Sequence, residues 1–236
     1  MVESTDARRK LVGTGIILVI MTALISGVAT FVNSFAVQGT NSDAFIALRN
    51  TFVAVLLIPI VLMARLLAGP GPHMPLRRVD WIRLACIGLL GGAIPFILFF
   101  RGLQLAGAGA TTGSLVFRDL FLFATIFALV FLRERINAWM AVGAALLLAG
   151  NALLLPLTSP SWTAGVGLIL AATVLWAGEY TLSKRVLRDL PSGTVALGRM
   201  GFGAIILLAF LAFSGQFGAV FEFTGPQLQW MALSGA

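Results

Sequence analysis

The sequence predicts an all-α polytopic membrane protein built from five-helix inverted repeats. Three observations predict it. Of 236 residues, 59% are hydrophobic and 11% charged, and the mean hydropathy is +0.99, whereas a soluble domain carries about 25% charged residues. So few polar groups cannot cover a surface that faces water. The apolar residues fall into runs of about 20, the length that crosses a hydrocarbon core as a helix. Short stretches also recur at a nearly constant offset.

The helices follow in order. Arg8-Arg9-Lys10 precedes an apolar run, and Ser34-Phe35-Ala36 resembles a cleavage site. The uncharged run from Leu11 to Ser42 is too long for the core of a signal peptide, about 7–15 residues, so it reads as a retained first helix at 11–36. The second, 44–66, carries Arg49, and the third, 81–104, contains Pro95 as the expected kink. The fourth, 109–132, contains "SLVFRDLFLF", an apolar stretch interrupted by Arg118 and Asp119. The uncharged run Ile136–Gly178 is divided by "LPLTSPS" at 155–161 into a fifth helix at 137–155 and a sixth at 163–186. A seventh covers 193–214, and an eighth begins near Gln227. The sequence thus holds seven complete helices and the start of another.

The net charge of +7 is distributed by topology. Arg8, Arg9 and Lys10 precede the first helix; Arg65, Arg77, Arg78 and Arg83 flank the second connection; Arg133 and Arg135 lie in the fourth; Lys184, Arg185 and Arg188 lie in the sixth. The other connections hold none, apart from Arg101 near the end of the third helix. Positive residues stay on the cytoplasmic side, so the N-terminus is expected in the cytoplasm of a multi-pass protein of the cell membrane, the inner membrane in a bacterium. This pattern accounts for the basic balance without nucleic acid.

"GTGIIL" at 13–18 resembles "GVGLIL" at 165–170, an offset of 152. "ALRNTFVAVLLI" from Ala47 resembles "LGRMGFGAIILL" from Leu197, which aligns Arg49 with Arg199 at 150. Trp81 aligns with Trp230 at 149. The implied repeats are 1–155 (helices 1–5) and 162–236 (helices 6–7 and the start of the eighth). An odd number of helices inserts the second copy upside down, a common plan for transporters with a site near the midplane. A full second copy would end near about residue 305 and give ten helices, so the last ones are expected to lie outside this sequence.

These residues resemble the drug/metabolite transporter superfamily in its EamA-type branch, over nearly the whole chain. Four features carry the resemblance: Arg49 and Arg199 early in the second helix of each repeat; "FLRERI" at 131–136, similar to a Glu-Arg ending of helix 4; the glycine-spaced "GAALLLAG" at 143–150; and "LWAGEYTLSKRVL" at 175–187 with its Trp-Ala and basic tail. The resemblance implies ten helices in two inverted halves around a central cavity. It implies alternating-access movement of small metabolites, often amino acids. One position departs from the pattern: Asp119 stands where the family usually has a proline before "LF".

On a helical wheel Thr111, Ser114, Arg118 and Thr125 share an arc that Asp119 and Thr112 extend, with Val116, Leu120, Phe123 and Phe127 opposite and suited to lipid. A charge at the bilayer centre costs about 2.5–3.5 kcal/mol on insertion scales, so the arc is expected to face a cavity. There Arg118 would bind a carboxylate, and Asp119 an ammonium or a proton. The competing reading is a structural ion-pair network with Arg49, Arg101 or Glu179. Trp176, Glu179 and Tyr180 on the sixth helix are further cavity candidates, Glu179 as a proton or cation site or else paired with Lys184 or a rim arginine. Thr22, Ser26, Thr30 and Asn33 share a face of the first helix, as pore lining or as side chains bonded back to their own helix. Arg49, Arg199 and Arg101 read as structural charges. Gly88 and Gly92, Ala106 and Ala110, and Ala145 and Ala149 are small-residue pairs for close helix contact.

The sequence argues against other classes. The only histidine, His73, lies between prolines in a loop; no HExxH, membrane Ser-His pair or GxxxxGK[ST] loop occurs. The single Cys86 excludes an intramolecular disulfide and a multi-cysteine metal site. A channel would need a ring of like groups around an axis. The expected protein is therefore a secondary carrier of small polar metabolites, with an amino-acid exporter as the specific form and a non-transporting membrane subunit or channel component as the alternative. It needs no cofactor. It takes a small-molecule substrate, with a proton or other coupling ion as a further ligand. It sits in the lipid bilayer as a monomer or weak homodimer.

Overall fold

The computed structural model describes residues 2–37, 39–67, 76–106, 113, 116–133, 137–158 and 162–235. In chain order the elements are α1 (Val2–Ala36), α2 (Ser42–Leu67), α3 (Arg78–Ile87), a π-helical segment (Gly88–Ala93), α4 (Ile94–Ala106), α5 (Leu120–Leu132), α6 (Ala138–Thr158), α7 (Ala164–Val186), α8 (Ser192–Phe213), a 3-10 turn (Phe217–Phe221) and α9 (Gly225–Gly235). No strand occurs among the described residues. Ser42–Ala64, Arg78–Ala106, Ala164–Val186 and Ser192–Phe213 are each long and apolar enough to cross a membrane, and Gly13–Ala29 and Ala138–Leu153 are shorter apolar helices. The chain is an all-helical, multi-pass membrane protein.

Local chemistry sets the helix starts. Asn41 Oδ1 accepts from the backbone N–H of Asp43 and Ala44 at 3.0 and 3.1 Å, capping α2. The Asp80 carboxylate accepts from the Arg77 backbone N–H at 3.0 Å and so caps α3. Thr163 Oγ1 accepts from Val166 N–H at 3.3 Å to open α7.

The centre of the packing is the Arg78–Ala106 span. Its α4 end packs on α7 and its π-helical middle packs on α8, while α2 also lies along α8 and α5 along α7. Phe45, Phe99, Phe100, Leu103, Ile169 and Leu207 form the buried core between them. Glycines let these helices approach until backbones meet. A Cβ on Gly203 would lie 2.6 Å from Gly92 O, and one on Gly102 would lie 2.8 Å from Gly165 O. Side chains at such points would push the helices apart. By contrast, the middle of α1 and most of α6 expose apolar residues such as Ile16, Leu24, Leu146 and Leu153, as lipid-facing surfaces do.

The expected fourth helix is not continuous. Residues 116–118 are helical, Asp119 is a turn residue with φ −74° and ψ 2°, and α5 starts afresh at Leu120. The wheel drawn from 111 to 125 as one helix therefore loses its phase at Asp119. Val116 and Leu120, expected to face lipid, instead pack inward, Val116 buried and Leu120 against the core. Arg118, expected to face a cavity, is exposed. Thr111, Thr112 and Ser114 lie outside the described residues, as do His73 and Glu134.

A buried charge cluster beside a π-helical segment

Proline creates the site's first feature. Pro95 has no N–H to donate to the carbonyl four residues back, that of Gly91. Trp176 Nε1 donates to Gly91 O instead, at 3.0 Å. Next to it, Asn50 Nδ2 donates to Gly92 O at 2.8 Å, with both groups buried. Ile94 N–H reaches back five residues to Leu89 O, the wider turn that defines a π-helix. Trp176, from α7, thus satisfies a carbonyl that a regular helix would have bonded itself, and Asn50, from α2, bonds the next one. The sequence places Pro95 as the expected irregularity, and the irregular turn lies immediately before it.

Glycine creates the second feature. A Cβ on Gly91 would come within 2.6 Å of Glu179 Cδ and 2.8 Å of Arg199 Nε. Its absence leaves room for an ion pair inside the bundle. Arg199 Nη2 lies 3.4 Å from Glu179 Oε2, with Glu179 1% exposed and Arg199 23% exposed. Ser183 Oγ, one turn along α7, donates to Glu179 Oε1. Glu179 Oε2 and Arg199 Nε are buried without a hydrogen-bond partner among the described residues. The pair is held by charge through one long contact rather than by a two-pronged fork.

The surroundings are aromatic and cationic. Arg199 Cζ lies 5.8 Å from the Tyr180 ring centre, and Arg49 Cζ lies 5.5 Å from that of Phe96. Arg49 also donates to Asn50 Oδ1 at 3.4 Å and is near enough to Arg199 to feel its like charge. Phe96, Phe99 and Phe117 all lie within 5.4 Å of the Trp176 ring, centre to centre. The result is a polar cluster with an apolar wall on one side.

The other sequence candidates lie elsewhere. Asn151 Nδ2 donates to Asp119 Oδ1 at 2.6 Å, joining α6 to the break before α5. No hydrogen bond or ion pair among the described residues joins Arg118 or Asp119 to Glu179. Thr125 Oγ1 donates back to Phe121 O at 2.8 Å. On α1, Thr22 Oγ1 bonds back to Leu18 O at 2.8 Å, Ser26 is exposed, and Asn33 is buried with its Oδ1 lacking a partner among the described residues. Arg101 forms a two-pronged pair with Asp43, its Nε 2.8 Å from Asp43 Oδ1, and stacks over Phe210. Neither Arg101 nor Glu179 therefore joins Arg118 in a network. No group of three or more metal-ligating His, Cys, Asp or Glu side chains occurs among the described residues.

Comparison with known proteins bears on this arrangement. The EamA-like transporter family model matches residues 13–155 and 163–235. The chain belongs to the EamA-like transporter family. No curated protein matches it significantly.

In this EamA-like transporter, a drug/metabolite-type membrane transporter, four residues escape sequence reasoning: Asn50, Phe117 and Ser183 around the cluster, and Asn151 beside Asp119. Asn50 follows Arg49 and carried a detectable signal, since an amide inside an apolar span needs a partner. Ser183 lies one turn beyond Glu179 and carried the same kind of signal. Asn151 carried it too, as an amide in the apolar α6, whereas Phe117 carried none, because its orientation depends on the break at Asp119.

Proposed function

We propose that the protein is a secondary carrier that moves small polar metabolites by alternating access, with amino acids the best-fitting class. The observation that carries this reading is the Glu179–Arg199 pair, buried between α7, α8 and the π-helical segment next to Arg49. Ionisable groups inside a membrane span are costly, and they concentrate where a substrate or ion passes. Arg199 offers a donor for a carboxylate, and the Phe96–Trp176 wall offers an apolar surface for a side chain.

Three further parts of the reading rest on the sequence pattern. The halves 1–155 and 162–236 are inverted repeats, a reading supported by the approach of Arg49 and Arg199 from matching positions. The N-terminus lies in the cytoplasm, supported by the positive connections. The protein sits in the cell membrane, the inner membrane in a bacterium.

The test is counterflow in proteoliposomes with labelled amino acids, nucleosides and amines, using the full chain. A carrier gives saturable uptake stimulated by the same compound inside. Absence of stimulated uptake for every compound sinks the proposal in favour of a non-transporting subunit.

A further inference from the structure

The geometry points to Arg199 as the binding residue for a substrate carboxylate, and to Glu179 as an internal carboxylate that holds Arg199 in the empty carrier and takes up a proton when the substrate displaces it. This inference rests on the carrier reading above and specifies its substrate class.

Four observations carry it. First, the existing pair is incomplete. Arg199 reaches Glu179 through one 3.4 Å contact while its Nε stays buried without a hydrogen-bond partner among the described residues. A guanidinium can serve a carboxylate with two parallel bonds, and Glu179 engages Arg199 through one. Second, Arg199 is reachable, with about a quarter of its side chain exposed, whereas Glu179 is sealed. An incoming ligand meets the arginine and not the glutamate. Third, Glu179 has its own second partner. Ser183 Oγ holds Oε1, so Arg199 can leave while the carboxyl stays in place. Fourth, both groups lie against Gly91, where a Cβ would come within 2.6 Å of Glu179 Cδ and 2.8 Å of Arg199 Nε.

The proton follows from the electrostatics of burial. Removing one partner from a buried ion pair leaves an uncompensated charge, which a low-dielectric interior strongly disfavours. The cation that pairs with Glu179 is Arg199. On α7 itself, Tyr180 and Ser183 adjoin it, and Lys184 lies toward the helix end. On α8 the facing charge is Arg199, with Arg49 of α2 beyond it. The π-helical segment and α5 (120–132) carry no titratable side chain. On α3, Asp80 and Arg83 are engaged with Arg77 and Asp189, and on α4 Arg101 is paired with Asp43. The carboxyl therefore becomes neutral by forming an O–H bond with a proton from the side that admits the substrate. The proton leaves when the substrate departs and Arg199 returns. Substrate and proton then cross together, one for one.

The experiment uses the full chain in pyranine-loaded proteoliposomes, with labelled glycine, L-phenylalanine and lactate as carboxylate probes and cadaverine and uridine as probes lacking one. Wild type is expected to take up at least one carboxylate probe into vesicles that hold none, with accompanying proton entry and a strong pH dependence. Glu179→Gln should abolish the proton signal, flatten the pH profile and lower the half-saturation concentration about tenfold, as expected when a competitor worth roughly 1.4 kcal/mol is lost. Arg199→Lys should raise it about tenfold while the proton signal remains. Should Glu179→Gln fail to fold, Arg199→Lys alone reads out the carboxylate site, and wild-type proton uptake with the carboxylate probes reads out the coupling. Exchange of cadaverine or uridine alone overturns this inference and leaves the carrier reading intact. So does net carboxylate uptake with no proton entry, or with a pH profile that Glu179→Gln leaves unchanged. No exchange of any probe overturns both.

Discussion

Asn151 donates to Asp119 across 2.6 Å, so the point where one helix breaks is tied to the middle of the next. Asn151 is 9% exposed, which leaves its amide little access to other partners. Asp119 is the N-cap residue of α5, yet its side chain makes no capping bond. The carboxylate serves the neighbouring helix instead of its own.

Asp119→Ala is therefore expected to destabilise the protein by about 1–3 kcal/mol, the cost of a buried donor left unpaired. Asp119→Asn retains an acceptor oxygen and should cost less than half as much. Thermal unfolding in detergent, followed by fluorescence, measures both. Equal losses in the two variants would mean that charge, not the acceptor, matters at Asp119.

The carbonyl of Gly91 gives a sharper test. Trp176→Phe keeps most of the ring packing and removes the Nε1–H that Gly91 O receives. The expected loss is about 1–3 kcal/mol. Pro95→Ala supplies a backbone N–H four residues on and should recover part of that loss in the double variant. If Pro95→Ala worsens Trp176→Phe additively, the two groups do not share that carbonyl.

The contact between Gly92 and Gly203 should tolerate no side chain. A Cβ on Gly203 would meet Gly92 C at 2.7 Å as well as its oxygen, and backbone cannot rotate away. Gly203→Ala should lose about 1–3 kcal/mol of stability, the usual cost of overpacking. Gly201→Ala, on the same helix with open space around it, should have little effect. Comparable melting points for the two variants would remove the argument for a tight seam.

Asp43 and Arg101 join α2 to α4 by a two-pronged pair in which Asp43 is 5% exposed and Arg101 42% exposed. With one partner exposed, a coupling of about 1 kcal/mol is expected from a double-mutant cycle of Asp43→Asn and Arg101→Gln. Zero coupling would show that the pair contributes nothing beyond its separate contacts.

The helical spans were legible because bilayer length and backbone hydrogen bonding leave few alternatives to an apolar run of that size. Arg49 and Arg199 were legible as a matched pair because their flanking residues repeat. The partner of Glu179 was not legible. Lys184 is closer in sequence, but Arg199 arrives from another helix through a gap that Gly91 leaves open. The orientation of Val116, Leu120 and Arg118 was also out of reach, because a wheel assumes the regular helix that Asp119 interrupts. The π-helical turn has no sequence period of its own, and only Pro95 marked its neighbourhood.

The glycine contacts have a mechanical consequence. Where Gly92 meets Gly203 and Gly102 meets Gly165, there are no rotamers to rearrange and no soft side chains to compress. Movement across these seams is restricted to whole-helix sliding or separation, so the Arg78–Ala106 span acts as a keyed spar between its two neighbours. A membrane protein with a fluid lipid jacket thus carries a stiff, backbone-to-backbone frame at its middle, with the Glu179–Arg199 pair beside it.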